Sequence, residues 1–344
     1  TAPASRMGVL RAAASIGSAQ RVGFIATQGT PDGTGDNQLA GLDYQYRSTS
    51  FLGARTLEAY AWAQHARDGL QGTGGARGAS LRYPNIGLTG QLDWYDIDAA
   101  FRPALGYVRE TGVRIVDATI GWRQLDEHGA NTLSSIHLGT RRRHDGTEQS
   151  QYTGVSVEWF NPRGDYVMPE AYAEREVLAA PFEPLPGARV AAGDHRYGYA
   201  LISAGTTPAR AWSGEASVRA GGFYDGALAE QTLKLAWRPS AHWSVVTALA
   251  QQQLRTAAGS FTARTGSVRL EHAASTRSAQ SLTVQHDNVS QKTLAGFRSR
   301  WRMTRDQELR VALDHTTSGR QERTGGRPAS DFRATVSMSW AIGR

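Results

Sequence analysis

The chain has 344 residues, a formal net charge of +7 carried almost wholly by arginine, and no cysteine. The missing thiols exclude a disulfide framework, a zinc–thiolate site and a cysteine nucleophile. No run of eighteen apolar residues occurs, which excludes a transmembrane helix but leaves membrane strands open, since barrel strands turn half their side chains to a polar side.

Taken in chain order, the dominant signal is period two. Glycine-rich clusters at 29–36, 72–75 and 324–328 fall between alternating runs, where turns belong. Val116, Ala118, Ile120 and Trp122 oppose Asp117, Thr119 and Arg123; Val155, Val157 and Trp159 alternate with Ser156 and Glu158. The segment 166–193 is less regular and holds Pro169, Pro181, Pro184 and Pro186, which predicts a long loop because proline cannot serve a central ladder. Gly222–Gly226 reads as a tight hairpin turn with Asp225-Gly226 as its turn pair. Leu233, Leu235 and Trp237 then alternate with Lys234, Ala236 and Arg238, and Val268 and Leu270 with Arg269 and Glu271. Phe297, Ser299 and Trp301 share a face opposite Arg298, Arg300 and Arg302, and Leu309, Val311 and Leu313 oppose Arg310, Ala312 and Asp314.

The last segment is the most informative. Phe332, Ala334, Val336, Met338, Trp340 and Ile342 lie on one strand face and Arg333, Thr335, Ser337, Ser339 and Ala341 on the other. Soluble strands average about five or six residues, whereas a tilted membrane strand needs about nine to eleven. The pattern predicts an all-β fold: one antiparallel transmembrane β-barrel of the outer-membrane type over 1–344, with about sixteen to eighteen strands. An exported protein carries a signal peptide and none opens this chain, so Thr1 is expected to lie downstream of a preceding segment.

Five segments carry a resemblance: 21–27 (RVGFIAT), 37–47 (NQLAGLDYQYR), 101–109 (FRPALGYVR), 222–226 (GFYDG) and 284–288 (VQHDN). In order and spacing the chain resembles a family of bacterial outer-membrane proteins with a C-terminal barrel domain of unknown function. That domain commonly follows a carbohydrate-binding-module-family-9-like β-sandwich. The resemblance implies a bacterial outer-membrane location, with lipid bilayer and lipopolysaccharide as surroundings. A periplasmic sugar-binding domain or other outer-membrane proteins are the implied partners. The sandwich itself is absent from these 344 residues.

If the apolar faces meet lipid, the opposite faces line the lumen. They carry Arg238, Arg269, Arg298, Arg300, Arg302, Arg310 and Arg333, together with Glu58, Asp93, Asp117, Glu158, Glu271 and Asp314. Such a lumen favours anions when open; the alternative is that the charges pair across it and plug it. Tyr44, Tyr46, Trp62, Trp94, Tyr95, Trp122, Trp159, Trp237, Trp243, Trp301 and Trp340 suit interfacial girdles, where amphipathic rings sit at headgroup depth. Asp32, Asp36 and Asn37 group oxygen donors in a glycine-rich loop that would suit calcium. The EF-hand spacing is missing, and Asp, Asn and Gly are ordinary turn formers. His286-Asp287-Asn288 lacks a nucleophile elbow, so no catalytic residue and no cofactor is expected. Arg141-Arg142-Arg143 sits in a turn-like context, and dispersed arginines argue against nucleic acid. Three functions follow: a pore for small anionic or saccharide solutes, a non-conducting anchor for a sugar-binding domain or partner, and a lumen- or loop-sited hydrolase.

Overall fold

A computed structural model describes residues 6–31, 33, 36–69, 72–319 and 330–340. Among them the regular elements are twenty-one β-strands, nineteen in one antiparallel sheet and two in a small second one. The large sheet thus exceeds the expected sixteen to eighteen. The chain divides into two compact units, one of residues 1–158, 170–181 and 191–198, the other of 159–169, 182–190 and 199–344.

The first unit is built on β1 (Gly8–Ile16), β2 (Gln20–Gln28), β3 (Asn37–Phe51), β4 (Arg55–Asp68) and β5 (Gly72–Tyr83). It continues through β6 (Gly87–Ile97), β7 (Val113–Leu125), β8 (Asn131–Arg143), β9 (Glu148–Phe160) and β10 (Tyr166–Leu178). Consecutive strands pair antiparallel, so directly opposed residues share a face. One face stacks Leu92, Ala118 and Leu138, and its large side chains are exposed: Leu42, Ile120, Trp122 and Ile136. The other stacks Asp43, Trp62, Gly78 and Tyr95. Alternation in sequence has become one exposed apolar face and one polar face.

A small core sits on the polar face. Leu39, Ala66, Ala76 and Phe101 are buried together, with Ile25, Trp62, Ile97 and Val108 packed against them. Phe101 belongs to the 98–112 connection, which folds back over β3, β4 and β5. Gly74 lets it in: a Cβ there would lie 2.5 Å from Ala100 C and 2.7 Å from Phe101 Cα. Trp62 and Tyr95 therefore leave the expected girdle for the polar face. Trp94, Trp122 and Trp159 keep to the apolar one.

The second unit holds β11 (Phe182–Leu185), β12 (Ala188–Val190), β13 (Gly193–Gly205), β14 (Trp212–Phe223), β15 (Gly226–Ser240) and β16 (Trp243–Thr256). Then come β17 (Gly259–Ser275), β18 (Ser278–Asp287), β19 (Lys292–Arg302), β20 (Gln307–Ser318) and β21 (Ser330–Trp340). From β13 to β21 each strand pairs with the next. Trp237, Trp243, Leu249, Val268, Trp301, Phe332 and Val336 are exposed on the apolar face. Ile342 and the side chain of Trp340 lie outside the described residues.

Two sequence expectations change here. The 166–193 loop is mostly strand: β10 runs to Leu178 despite Pro169, and only 179–192 connects it to β13. Within that connection β11 and β12 form a hairpin whose Ala188 and Val190 are fully buried, with β12 against β16 and β17. Leu254 is buried there, opposite Phe261 and on the face of Glu230 and Gln252, so the hairpin covers the polar face. The 222–226 turn is centred on Tyr224 and Asp225, because Gly226 already pairs with Phe223. Tyr224 takes the left-handed conformation at φ 53°, and its ring is held edge-on by Phe182 at 5.3 Å.

Candidate functional site

Strand parity places the charged residues expected to line the lumen on polar faces. In the second unit most converge. Arg300 lies directly opposite Arg310, Arg298 opposite Ala312, and Arg333 opposite Asp314. Arg269 is one strand pair away, opposite Thr283. These strands enclose a depression of about 490 Å³ lined by Arg269, Glu271, Arg298, Arg300 and Arg310, with Ser281, Ala312, Thr335 and Ser337 as small neighbours. Small residues between the arginines leave the depression open.

The ion pairs inside it are local. Arg298 grips Asp314 with both carboxylate oxygens, at 2.7 and 3.0 Å. Arg269 binds Glu271 two residues along its own strand, at 2.7 Å. Arg310 and Arg302 share Glu308, a carboxylate that the sequence reading missed, although it lies two residues before Arg310 on the same face. Among the described residues Arg300 and Arg333 make no ion pair within 4.0 Å. The polar face of these strands carries six arginines and Lys292 against Glu271, Asp287, Glu308, Asp314 and Asp331, and Arg300 and Arg310 stand side by side, where like charges repel. Guanidinium groups are always charged and present planar donor forks that fit carboxylate and phosphate oxygens. A half-exposed cluster of this kind retains an oxyanion without burying its own charge. Arg238 stands apart, bonded to Pro208 O at 3.2 Å and Ser213 Oγ at 3.1 Å.

In the first unit the candidates are carboxylates already engaged. Glu58 pairs with Arg47 at 3.1 Å, Asp117 accepts from Tyr152 Oη at 2.9 Å, and Asp93 accepts from Gln91. Glu158 follows Ser156 at two-residue spacing on the same strand face. His137, on that face, meets Thr119 Oγ1 at 3.1 Å and Ser156 Oγ at 2.8 Å. Two hydroxyl partners satisfy the ring. His286 lies on the apolar face beside Thr293 Oγ1 at 2.9 Å.

Of the calcium grouping, Asp32 lies outside the described residues, and Asn37 is fully buried. Its Nδ2 donates to Asp68 Oδ2 at 3.0 Å and to Arg102 O at 2.8 Å, and its Oδ1 accepts from Ala104 N at 3.2 Å. Asn37 is therefore the latch that holds the 98–112 connection, which joins two of the segments carrying the family resemblance. Asp96, Asp98 and His144 bring donor atoms within 4.8 Å of one another. Asp96 is already paired with Arg77 at 2.8 Å and Arg114 at 3.5 Å, so arginine supplies the positive charge that a metal would. Arg141–Arg143 end β8 at the turn that follows, where Gly146 N donates to Arg143 O at 3.0 Å, and Arg142 lies on the apolar face opposite Arg114.

No protein-family model matches the chain, and no curated protein matches it. Among solved structures it is similar to the open form of the ferric-catecholate import receptor Fiu from E. coli K12. The TM-score is 0.53 at 10% sequence identity, over 98% of this chain and 73% of that one. A likeness at that identity is a likeness of fold. The chain has the all-β, antiparallel fold of an outer-membrane β-barrel.

Proposed function

We propose that this chain is a bacterial outer-membrane pore or translocation channel for small anionic solutes, sugar acids and sugar phosphates among them. The observation that carries the proposal is the arginine-rich polar face of β17–β21, with Arg300 and Arg310 opposed and, among the described residues, no ion-pair partner within 4.0 Å of Arg300 or Arg333. In a lumen walled by low-dielectric protein, unneutralised guanidinium groups raise the local anion concentration. The test is the reversal potential of the reconstituted chain under a salt gradient, wild type against R300Q/R310Q. The double variant is expected to lose most of its anion preference while still inserting. Unchanged selectivity would remove the arginine wall from the explanation.

A second reading has support of its own. The 98–112 connection and the β11–β12 hairpin both fold onto polar faces, as they would in a non-conducting anchor for a sugar-binding domain or another outer-membrane protein. Folded chain that never conducts would select this reading.

A further inference from the structure

The apolar face of the first unit ends in two different ways. On β7 it runs from Arg114 through Val116, Ala118 and Ile120 to Trp122, and on β8 from Arg142 through Thr140, Leu138 and Ile136 to Ser134. Arg114 and Trp122 are eight positions apart, about 26 Å along a strand, close to the height of a barrel's apolar band. Trp159 likewise sits at the Trp122 end of its strand, two residues before the turn into β10. One end of the face carries Trp122 and Trp159, and the other carries arginines beside Trp94.

At the arginine end Arg114 and Arg142 are directly opposed, with side chains 59% and 57% exposed. Arg77 is beside them, one guanidinium nitrogen 2.8 Å from Asp96 and its carbon 5.6 Å from the centre of the Trp94 ring. Arg175 extends the row, 2.6 Å from Glu148 and 2.7 Å from Asp194. The carboxylates present are Asp96, Asp98, Glu148 and Asp194, and His144 Nε2 donates to Asp96 at 2.8 Å. Asp96 lies 3.5 Å from Arg114 and Glu148 3.7 Å from Arg142, each contact made by a single guanidinium nitrogen. Opposed residues of an antiparallel pair hold their Cβ atoms about 5 Å apart, so an anion seated between the two guanidinium groups meets both. A phosphate does so with bidentate hydrogen bonds to both guanidinium groups.

We propose that Arg114 and Arg142, flanked by Arg77 and Arg175, form a binding site for the phosphorylated headgroup of an outer-leaflet lipid of the lipid A class. The argument for a lipid over a soluble phosphate is continuity. Thr140, Val116, Leu138 and Ile120 lead directly from the arginine pair down the exposed apolar face, so the ligand that fits is an anion with acyl chains. This site is on the apolar face of its strands and does not depend on conduction.

Native mass spectrometry of the full chain in detergent tests it, with lipid A, fully dephosphorylated lipid A and inorganic phosphate as probes. Wild type is expected to retain lipid A, to lose it on dephosphorylation, and to keep it against excess inorganic phosphate. R114Q/R142Q should weaken retention by about tenfold or more. R21Q/R82Q, the same charge loss elsewhere in the unit, should retain lipid A as wild type does. Heat-modifiable gel mobility reports folding of every variant. Equal retention of dephosphorylated lipid A, or by R114Q/R142Q, would overturn the site. Displacement by inorganic phosphate would make it a soluble-anion site and overturn the lipid assignment.

Discussion

Replacing Asn37 by alanine isolates the latch that holds the 98–112 connection on the polar face. Asn37 is fully buried and Asp68 nearly so. The substitution removes one hydrogen bond to a carboxylate, at 3.0 Å, and two to backbone groups, at 2.8 and 3.2 Å. The bond to Asp68 lies within the β3–β4 pair and does not break when the connection opens, so the two backbone bonds, about 1 kcal/mol each, set the effect. Water entering the hole left by the amide restores part of this, so docking is expected to weaken by about 1–2 kcal/mol, or roughly 5- to 30-fold in the opening equilibrium. Arg109 lies in this connection, and its peptide bond to Glu110 is a tryptic site. Cleavage there in folded, detergent-solubilised chain reports the open population when reclosing is fast. N37A should be cut at Arg109 faster by about that factor, with the strands still protected. Cleavage at the wild-type rate would refute the latch. Simultaneous cutting within β3–β5 would show that the asparagine supports the sheet as a whole.

Two smaller perturbations test other local arguments. Gly78 lies between Trp62 and Tyr95, and a Cβ there would sit 2.7 Å from Trp62 Nε1 and 2.8 Å from Tyr95 Cδ1. Gly78→Ala should therefore lower unfolding stability by about 1–3 kcal/mol, read as a lower urea midpoint; an unchanged midpoint would mean the two rings yield freely. Asp165, in the turn before β10, is held below the usual carboxylate range by the Thr207 backbone N–H, then by the Asn161 amide, with Arg210 and Arg163 adding their charge. A depressed pKa means the contribution is present above the unfolded value and is lost as pH falls through it. The difference in urea midpoint between wild type and D165N should thus shrink from about pH 6 to about pH 3. A gap independent of pH would exclude the ionised carboxylate as its source.

Much of the fold was legible because alternation is a local signal. Phe332, Val336 and Met338 are exposed on one face of β21, while Arg333 and Ser337 stand opposite Asp314 and Arg310. The same parity put Arg269, Arg298, Arg300 and Arg310 on one wall, since a strand's period of two fixes the face wherever the run is continuous. What was illegible depends on partners distant in sequence. Asn37 looked like a turn residue, and its role is set by Asp68, Arg102 and Ala104. Trp62 and Tyr95 looked like girdle aromatics because composition does not say which face is covered by a returning loop. The proline-rich 166–193 segment misled in part: Pro181, Pro184 and Pro186 do lie in the connection, whereas Pro169 is accommodated as the fourth residue of β10. Arg142 was hidden inside a basic triplet, though its spacing from Leu138 and Ile136 marks the apolar face.

If the chain conducts anions through a lumen with an arginine-rich wall, single-channel current from the refolded chain shows it directly. In a planar bilayer under a salt gradient, stable current steps are expected, with a reversal potential that leans toward the anion. Silence from protein shown by heat-modifiable mobility to be folded and inserted would contradict the channel and leave the anchored scaffold in its place.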